Sequence, residues 1–477
     1  MVFSSLTFVC LFLPAVIAAY FIAPKSARNL VLVVASVIFY VWGARIAILL
    51  VLVSVTVNFA LGQAIAAAVP VRRHRLISWS VAGNLLVLII FKYTDFLIDN
   101  INSIIEPIWN WRIPALAIPL PLGISFFTFH IISYLVDIYR GIAQPQRSAL
   151  AFTLYIINFP QLIAGPIVRY RPIAGQLEHR SVSFSDFDQG VARFAAGLAK
   201  KLLIANPIGA VGDHLFAVAP SDLPIWAVWL AVLCFNLQIY FDFSGYSDMA
   251  IAMARMFGFR FPENFNYPYA ATSIKEFWRR WHMSLSAWFR DYVYVPLGGS
   301  RGGTLSTTIN LWIVFLLCGA WHGASWNFVV WGMWHGLFLS IERLRAVDFV
   351  LSRSPRLVRN LYTLLIVMVG WVFFRSATLE LALDMIARMF GLQSGTQAML
   401  PVSSHVTAPT MLLIVLATFF AFPIWPRVKE FAQEAIGSAG EQVAYDILRA
   451  TLIGLITVLC LATMTIDQNN PFIYFRF

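Results

Sequence analysis

The chain has 477 residues, of which 60% are hydrophobic and only 12% are charged. Soluble proteins average about 45 to 50% apolar and about 25% charged residues, so this chain has too few charges to cover a water-facing surface. The net charge of +11 fits basic cytoplasmic loops beside anionic lipid, and no nucleic-acid-binding motif accompanies it. The sequence therefore predicts a polytopic membrane protein, which we treat as a single domain over residues 1–477.

The N-terminal stretch Met1–Ala23 is apolar and is followed, not preceded, by basic residues. A cleaved signal peptide carries its positive charge before the apolar run. We therefore expect an uncleaved first span with its N-terminus outside.

Apolar runs of about 20 residues recur along the chain and predict roughly eleven membrane spans. Leu30–Ala68 is broken near Arg45, and we expect two spans there. A proline-rich turn at Ile113–Gly123 precedes a helix that carries His130, which we interpret as structural. Further spans are predicted at Ile77–Leu97, Trp226–Tyr240, Leu361–Phe374, Met411–Ala421 and Ile447–Met464, with a short amphipathic helix at Leu381–Leu392.

Two segments are predicted to differ from simple spans. Leu154–Ile167 is apolar but interrupted by prolines, which predicts a re-entrant segment beside a cavity, because irregular backbone at membrane depth needs protein or water partners. Thr272–Gly303 is polar, with aromatic residues on one helical face and basic residues, including Arg279 and His282, on the other. This pattern predicts an interfacial amphipathic helix, whose arginines anchor it or meet an anionic donor.

A polar patch at Phe241–Asp248 follows the predicted span Trp226–Tyr240. Its carboxylates, serines and tyrosine could bind a hydrated ligand, or they could cap a helix that begins near Asp248. Capping accounts for Ser247 and Asp248. It leaves Asp242 and Tyr246 as candidates for the lining of a substrate site.

The apolar stretch Leu311–Gly336 carries His322, a group that can exchange a proton near neutral pH. An ionisable residue in a membrane segment marks a pathway or a reaction site, although a packed structural histidine fits the same stretch. His335 lies 13 positions later, which on one continuous helix turns it by about 220° from His322. We therefore do not expect the two to act as a pair, and we interpret Gly332–Gly336 as a packing motif.

Three motifs occur in a fixed order along the chain. They are Phe243–Asp248 (FSGYSD), Trp278–Ser286 (WRRWHMSLS) with Phe289–Tyr292 (FRDY), and Gly319–Gly323 (GAWHG). Together they resemble the membrane-bound O-acyltransferase (MBOAT) family. The opening Met1–Ser5 and the ending Asn470–Phe475 are similar to the alginate O-acetyltransferase branch of that family.

The resemblance implies an all-α bundle of membrane helices around a tunnel. It also implies that His322 is essential for acyl transfer, and that His282 matches a histidine essential in the D-alanine-transferring relatives. A neutral buried imidazole can take the proton of a hydroxyl that attacks an acyl thioester, and we assign this role to His322. His282 could orient the acceptor or polarise the thioester carbonyl, and Trp321 and Arg279 are further candidates for the tunnel lining. An acyl-histidine intermediate and direct transfer both stay open.

The function that the resemblance implies is transfer of an acetyl group from a cytoplasmic donor, across the inner membrane, to hydroxyls of an extracytoplasmic polysaccharide. We expect acetyl-CoA as the donor, with an acyl carrier protein as the alternative, and a periplasmic partner protein that completes the transfer. We expect no bound cofactor. We also expect no metal, since the four cysteines lie far apart in apolar runs and do not suit a zinc site. D-alanyl transfer to a cell-envelope polymer is the alternative within the family. A secondary transporter is the alternative from another class, and the lack of an internal repeat weighs against it.

Overall fold

The computed structural model describes residues 2–393, 406–434 and 438–466. Within those ranges the regular secondary structure is helical and no strand occurs. The predicted all-α class is therefore confirmed. Met1 and the ending Asn470–Phe475, which contributed to the resemblance, lie outside the described residues.

Most of the described chain is α-helix, with short π-helical stretches at Thr7–Phe12, Lys200–Ala205 and Arg290–Tyr294. In chain order the α-helices are α1 (Leu13–Ile22), α2 (Arg28–Ala44), α3 (Ile48–Ala67), α4 (Pro70–Trp109), α5 (Ile124–Tyr139), α6 (Ala149–Ile157), α7 (Phe159–Leu162), α8 (Tyr170–Glu178), α9 (Phe184–Ala199), α10 (Asn206–Phe216), α11 (Ile225–Met256), α12 (Ile274–Arg280), α13 (Met283–Phe289), α14 (Gly303–His322), α15 (Trp326–Ile341), α16 (Arg345–Arg353), α17 (Arg356–Arg375), α18 (Leu379–Met389), α19 (Ala408–Phe420), α20 (Ile424–Glu434) and α21 (Ala439–Ile466).

Several of these helices are long and apolar enough to cross a bilayer. In the described ranges there are seven such stretches: Lys25–Ala67, Pro70–Trp109, Phe184–Phe216, Ile225–Met256, Gly303–His322, Arg356–Arg375 and Gly440–Ile466. An eighth span results if α19 and the following helix, bent by 73° from it, are counted as one. The chain is a multi-pass membrane protein, but the expected number of roughly eleven spans is not confirmed.

Two sequence predictions fall in the N-terminal third, the break near Arg45 and the first span. α2 and α3 have 17 and 20 residues, and a 3₁₀ turn at Arg45–Ala47 separates them at the predicted break. The predicted break is therefore confirmed, whereas Lys25–Ala67 counts as one apolar stretch above, so the two expected spans stay a prediction. The expected first span corresponds to a shorter apolar helix at Thr7–Ile22 and also stays a prediction.

The described helices group into two compact units. The first consists of residues 2–191, 250–262 and 323–325, and the second consists of the described residues within 192–249, 263–322 and 326–466. Both candidate histidines, His282 and His322, lie in the second unit. The single acyltransferase domain and the tunnel stay predictions.

The interrupted segment Leu154–Ile167 is buried inside the first unit as α6, α7 and irregular chain. Side chains satisfy its irregular backbone. The N–H of Phe159 donates to Oγ of Ser36 at 3.0 Å, and the N–H of Val168 donates to Nε2 of His130 at 3.2 Å. The irregular backbone and the structural role of His130 are therefore confirmed, and the cavity beside them stays a prediction.

The polar patch of α11 does not interrupt the helix, so the predicted cap at Ser247 and Asp248 is wrong. Cationic side chains from the neighbouring π-helical stretch satisfy the carboxylates instead. Lys200 lies 2.6 Å from Asp248, and Lys201 lies 2.6 Å from Asp242. Because these partners supply the missing charge, the helix continues through the polar residues.

The predicted interfacial helix in Thr272–Gly303 is also corrected. α12 ends before His282 and α13 begins after it, since His282 has a φ of +43° that no α-helix accommodates. The aromatic face is buried within the protein, with Trp278 and Trp281 almost fully covered, and Arg279 is exposed. The predicted amphipathic pattern exists, but its apolar side packs against protein.

The apolar stretch Leu311–Gly336 forms a helical hairpin, so the assumption of one continuous helix is wrong. α14 ends at His322, and after a short turn α15 packs along it. Gly319 and Gly332 lie at the contact, where a Cβ on either would collide with the backbone carbonyl of Phe328 or Phe315. The packing role predicted for the glycines of α15 is confirmed at Gly332.

Candidate active site

His322 is the last residue of α14 and is buried. Its ring lies 4.9 Å from the ring of Trp321, 4.9 Å from that of Trp331 and 5.2 Å from that of Phe374, measured between centroids. The carbonyl end of a helix carries partial negative charge and favours a cation there. His322 is thus enclosed by aromatic rings at a position suited to the positive charge that a base gains when it takes a proton.

His282 is fully buried at the break between α12 and α13. Its Nδ1 lies 3.1 Å from Oδ1 of Asn264, and its ring packs edge-on against Phe243 with centroids 4.7 Å apart. Burial lowers the pKa of His282 to about 3, because desolvation disfavours the charged imidazolium. His282 is therefore neutral at physiological pH.

Trp321 connects the two histidines. Its ring centroid lies 6.1 Å from that of His282 and 4.9 Å from that of His322. Two residues 40 positions apart in the sequence thus belong to one aromatic cluster of the second unit. Trp331 and Trp371, whose stacked rings are 5.9 Å apart, extend the cluster.

His335 packs against Trp331, the same ring that His322 contacts. Its ring centroid is 5.1 Å from that of Trp331, and Nε1 of Trp278 donates to its Nδ1 at 3.4 Å. Trp331 therefore contacts both His322 and His335. His335 therefore has packing partners within the aromatic cluster, and the expectation that it does not act as a pair with His322 stays a prediction.

The other predicted site residues occupy different surroundings. Asp242 is buried in an ion pair with Lys201, which gives its carboxylate a structural partner. Tyr246 is buried on α11, three residues after Phe243, whose ring contacts His282. Arg279 is exposed, whereas the two histidines and Trp321 are buried.

Sequence reasoning missed Asn264, which lies between α11 and α12 in a segment without a motif. Its backbone carbonyl accepts from the N–H of Met283 at 2.9 Å, which holds it beside His282. Its side chain accepts from Oγ of Ser284 at 2.8 Å and donates to Oγ of Ser247 at 3.0 Å. The two serines belong to motifs, but nothing in the sequence identified the amide that joins them.

A buried histidine pair in a multi-pass helical protein fits a membrane enzyme that transfers protons and groups to a substrate. The chain matches the sequence profile of MBOAT, the membrane-bound O-acyltransferase family, over residues 143–382. It belongs to that family, and it is an O-acyltransferase. Membership of this family identifies the chain as an enzyme and not as a secondary transporter.

The similarity extends over the whole chain. Across an alignment of 504 residues that covers all of both proteins, the chain is 40% identical to a protein of Azotobacter vinelandii named probable alginate O-acetylase. It is 37% identical over 433 residues to a peptidoglycan O-acetyltransferase of Helicobacter pylori, which covers 82% of this chain and 80% of that one. A teichoic acid D-alanyltransferase of Bacillus subtilis is 28% identical over 232 residues, which are 46% of this chain and 58% of that one.

Proposed function

We propose that this chain transfers acetyl groups from acetyl-CoA, at the cytoplasmic side of the inner membrane, to hydroxyls of an extracytoplasmic polysaccharide of the alginate type. The full-length similarity to a probable alginate O-acetylase supports the acetyl group and this class of acceptor. The more distant and partial similarity to a D-alanyltransferase makes D-alanyl transfer the weaker candidate. The observation that carries the chemistry is the burial of His322 at the carbonyl end of α14.

In this proposal His322 is the general base. Its neutral imidazole takes the proton of the acceptor hydroxyl as the oxygen attacks the thioester carbonyl. The thiolate leaves and receives that proton, so that one ester and one thiol are formed. The carbonyl end of α14 stabilises the transient positive charge on His322, and the enclosing rings of Trp321, Trp331 and Phe374 limit attack by water.

The same position of His322 also serves a two-step route. There the imidazole would attack the thioester itself, form an acyl-histidine and pass the acyl group to the hydroxyl. Both routes need a neutral His322 close to the thioester. We further propose that Trp321 and Tyr246 line the substrate path and that a periplasmic protein completes the transfer to the polymer.

Complementation of a strain that lacks its own polysaccharide O-acetyltransferase tests the function. We expect the wild-type chain to restore O-acetyl groups on the exopolysaccharide, and His322→Ala, present in the membrane at the same level, to restore none. His335→Gln is the matched control, because the ring of His335 contacts the same Trp331 as His322. This variant should restore acetylation. Near-normal acetylation by His322→Ala would contradict the assignment of His322 as the general base. D-alanyl esters in place of acetyl esters would favour D-alanyl transfer as the function.

A further inference from the structure

The side-chain amide of Asn264 has only one possible orientation. The backbone N–H of Ser284 lies 3.3 Å from Oδ1, and Oγ of Ser284 donates to the same atom at 2.8 Å. A backbone N–H can only donate, so the atom that it meets must be the oxygen of the amide. On the other side, Nδ2 donates to Oγ of Ser247 at 3.0 Å. A flipped amide would place its NH₂ group against a backbone donor.

This orientation determines the tautomer of His282. Nδ1 of His282 lies 3.1 Å from Oδ1 of Asn264, an atom that can only accept, so Nδ1 must carry the proton. In a neutral imidazole the second nitrogen, Nε2, then holds a lone pair and no proton. The fully buried ring stays neutral, so the form with protons on both nitrogens does not compete.

Nε2 of His282 is a buried acceptor that the protein does not use. In the described part of the chain it has no hydrogen-bond partner, and His282 is fully buried. The backbone of His282 is also in the left-handed region, with a φ of +43°, which is costly for a residue with a side chain. An unsatisfied buried polar atom and a strained backbone at the same residue are typical of functional positions.

We propose that Asn264 is a positioning residue that holds His282 as a hydrogen-bond acceptor for the hydroxyl-bearing substrate. This inference rests on the proposed transfer to a hydroxyl, and it decides between the two roles that the sequence left open for His282. Polarising the thioester carbonyl requires an N–H at Nε2, whereas a lone pair there can accept a hydrogen bond from the O–H of an alcohol. The geometry provides the lone pair.

An unprotonated Nε2 on His282 restricts which alcohols can react. The hydroxyl that reacts gives its only proton to His322, so His282 must accept from another O–H of the same molecule. An acceptor with a neighbouring hydroxyl, as in a sugar ring, can fill both positions. An alcohol with a single hydroxyl can fill only one.

Nitrogen-15 NMR of the wild-type protein labelled at histidine tests the tautomer without any measurement of activity. The signals that disappear in His282→Gln belong to His282. We expect them to show a protonated Nδ1 and an unprotonated Nε2, and a protonated Nε2 would overturn the proposal. In Asn264→Ala we expect the tautomer protonated at Nε2 to become populated. An unchanged tautomer would show that Asn264 does not position His282.

Transfer kinetics test the consequence for the substrate. We expect Asn264→Ala to lower the rate of transfer to a vicinal diol by about tenfold to a hundredfold, the size of a lost buried hydrogen bond. It should lower transfer to the matching mono-deoxy acceptor far less, so that the preference of the wild type for the diol is lost. Asn310→Ala is the control, because Asn310 is also buried and donates to the carbonyls of Leu297 and Gly299, and it should keep the preference.

The outcomes separate this inference from the proposed function. No transfer by the wild type to any hydroxyl would contradict the proposed function, while the NMR result would still report the tautomer. If the wild type is active, and Asn264→Ala and Asn310→Ala lose the same transfer rate and the same diol preference, the inference is overturned but the proposed function is not. An unchanged diol preference in Asn264→Ala would do the same.

Discussion

The buried ion pair between Lys201 and Asp242 joins the π-helical stretch Lys200–Ala205 to α11. Its N–O distance is 2.6 Å, and the two side chains are 5% and 2% exposed. At an effective dielectric constant of about 20 the attraction at this distance is about 6 kcal/mol, and desolvation of the two charges offsets much of it. We expect Asp242→Asn to lower the free energy of unfolding by about 3 to 5 kcal/mol, because Lys201 then keeps a buried charge without its carboxylate.

A partly exposed ion pair of the same length provides the control. Arg375 and Asp213 are also 2.6 Å apart, but their side chains are 24% and 34% exposed. Asp213→Asn should therefore cost no more than about 1 kcal/mol. The free energies of unfolding can be compared by SDS titration of the purified protein in mild detergent.

A double variant completes the test. Lys201→Met combined with Asp242→Leu removes both charges and should recover much of the loss seen in either single variant. Equal losses for Asp242→Asn and Asp213→Asn, or a double variant as unstable as the sum of its singles, would refute this reasoning. Acetyl transfer per folded molecule should persist in Asp242→Asn, and its loss without a loss of stability would return Asp242 to the substrate site.

The remaining predictions concern His282 and the packing of α14 against α15. His282→Ala should reduce transfer in a membrane-fraction assay while its membrane level stays unchanged, and a silent variant would leave His282 with a structural role only. The nitrogen signals of His282 should not titrate between pH 5 and pH 8, since burial lowers its pKa to about 3, and a midpoint in that range would contradict the burial. Because the folded protein holds this ring neutral, its contribution to stability should fall as the pH drops below about 6.5, where the unfolded imidazole binds a proton. Gly319→Ala should lower the melting temperature, because its Cβ would meet the backbone of Phe328, whereas Gly83→Ala, with open space around it, should not.

Membrane thickness explains why much of the helical framework was predictable. A run that must cover about 30 Å of hydrocarbon needs about 20 apolar residues, and this requirement is visible at α4, α17 and α21 without any knowledge of their neighbours. The break near Arg45 was also visible, because polar and small residues interrupt the run there. The sequence did not predict that α11 continues through its polar patch, since the cations that satisfy it come from a segment about 40 positions earlier.

Part of the candidate site was also predictable from the sequence. His282 and His322 stand out because ionisable side chains are rare in apolar surroundings and because they fall in recognisable motifs. The break at His282 has no glycine or proline to indicate it, so helical periodicity continued through it. The role of Asn264 could be recognised only from the structure, because it depends on the backbone N–H of Ser284, which belongs to α13.

The most direct test of the account is the initial rate of acetyl transfer by the purified protein in proteoliposomes, with labelled acetyl-CoA and a soluble vicinal diol as the acceptor in place of the polymer. The wild type and His335→Gln should transfer label at similar rates. His322→Ala should be slower by about a hundredfold or more, the usual contribution of a general base. A His322→Ala protein that is folded and transfers acetyl groups at nearly the wild-type rate would contradict the account.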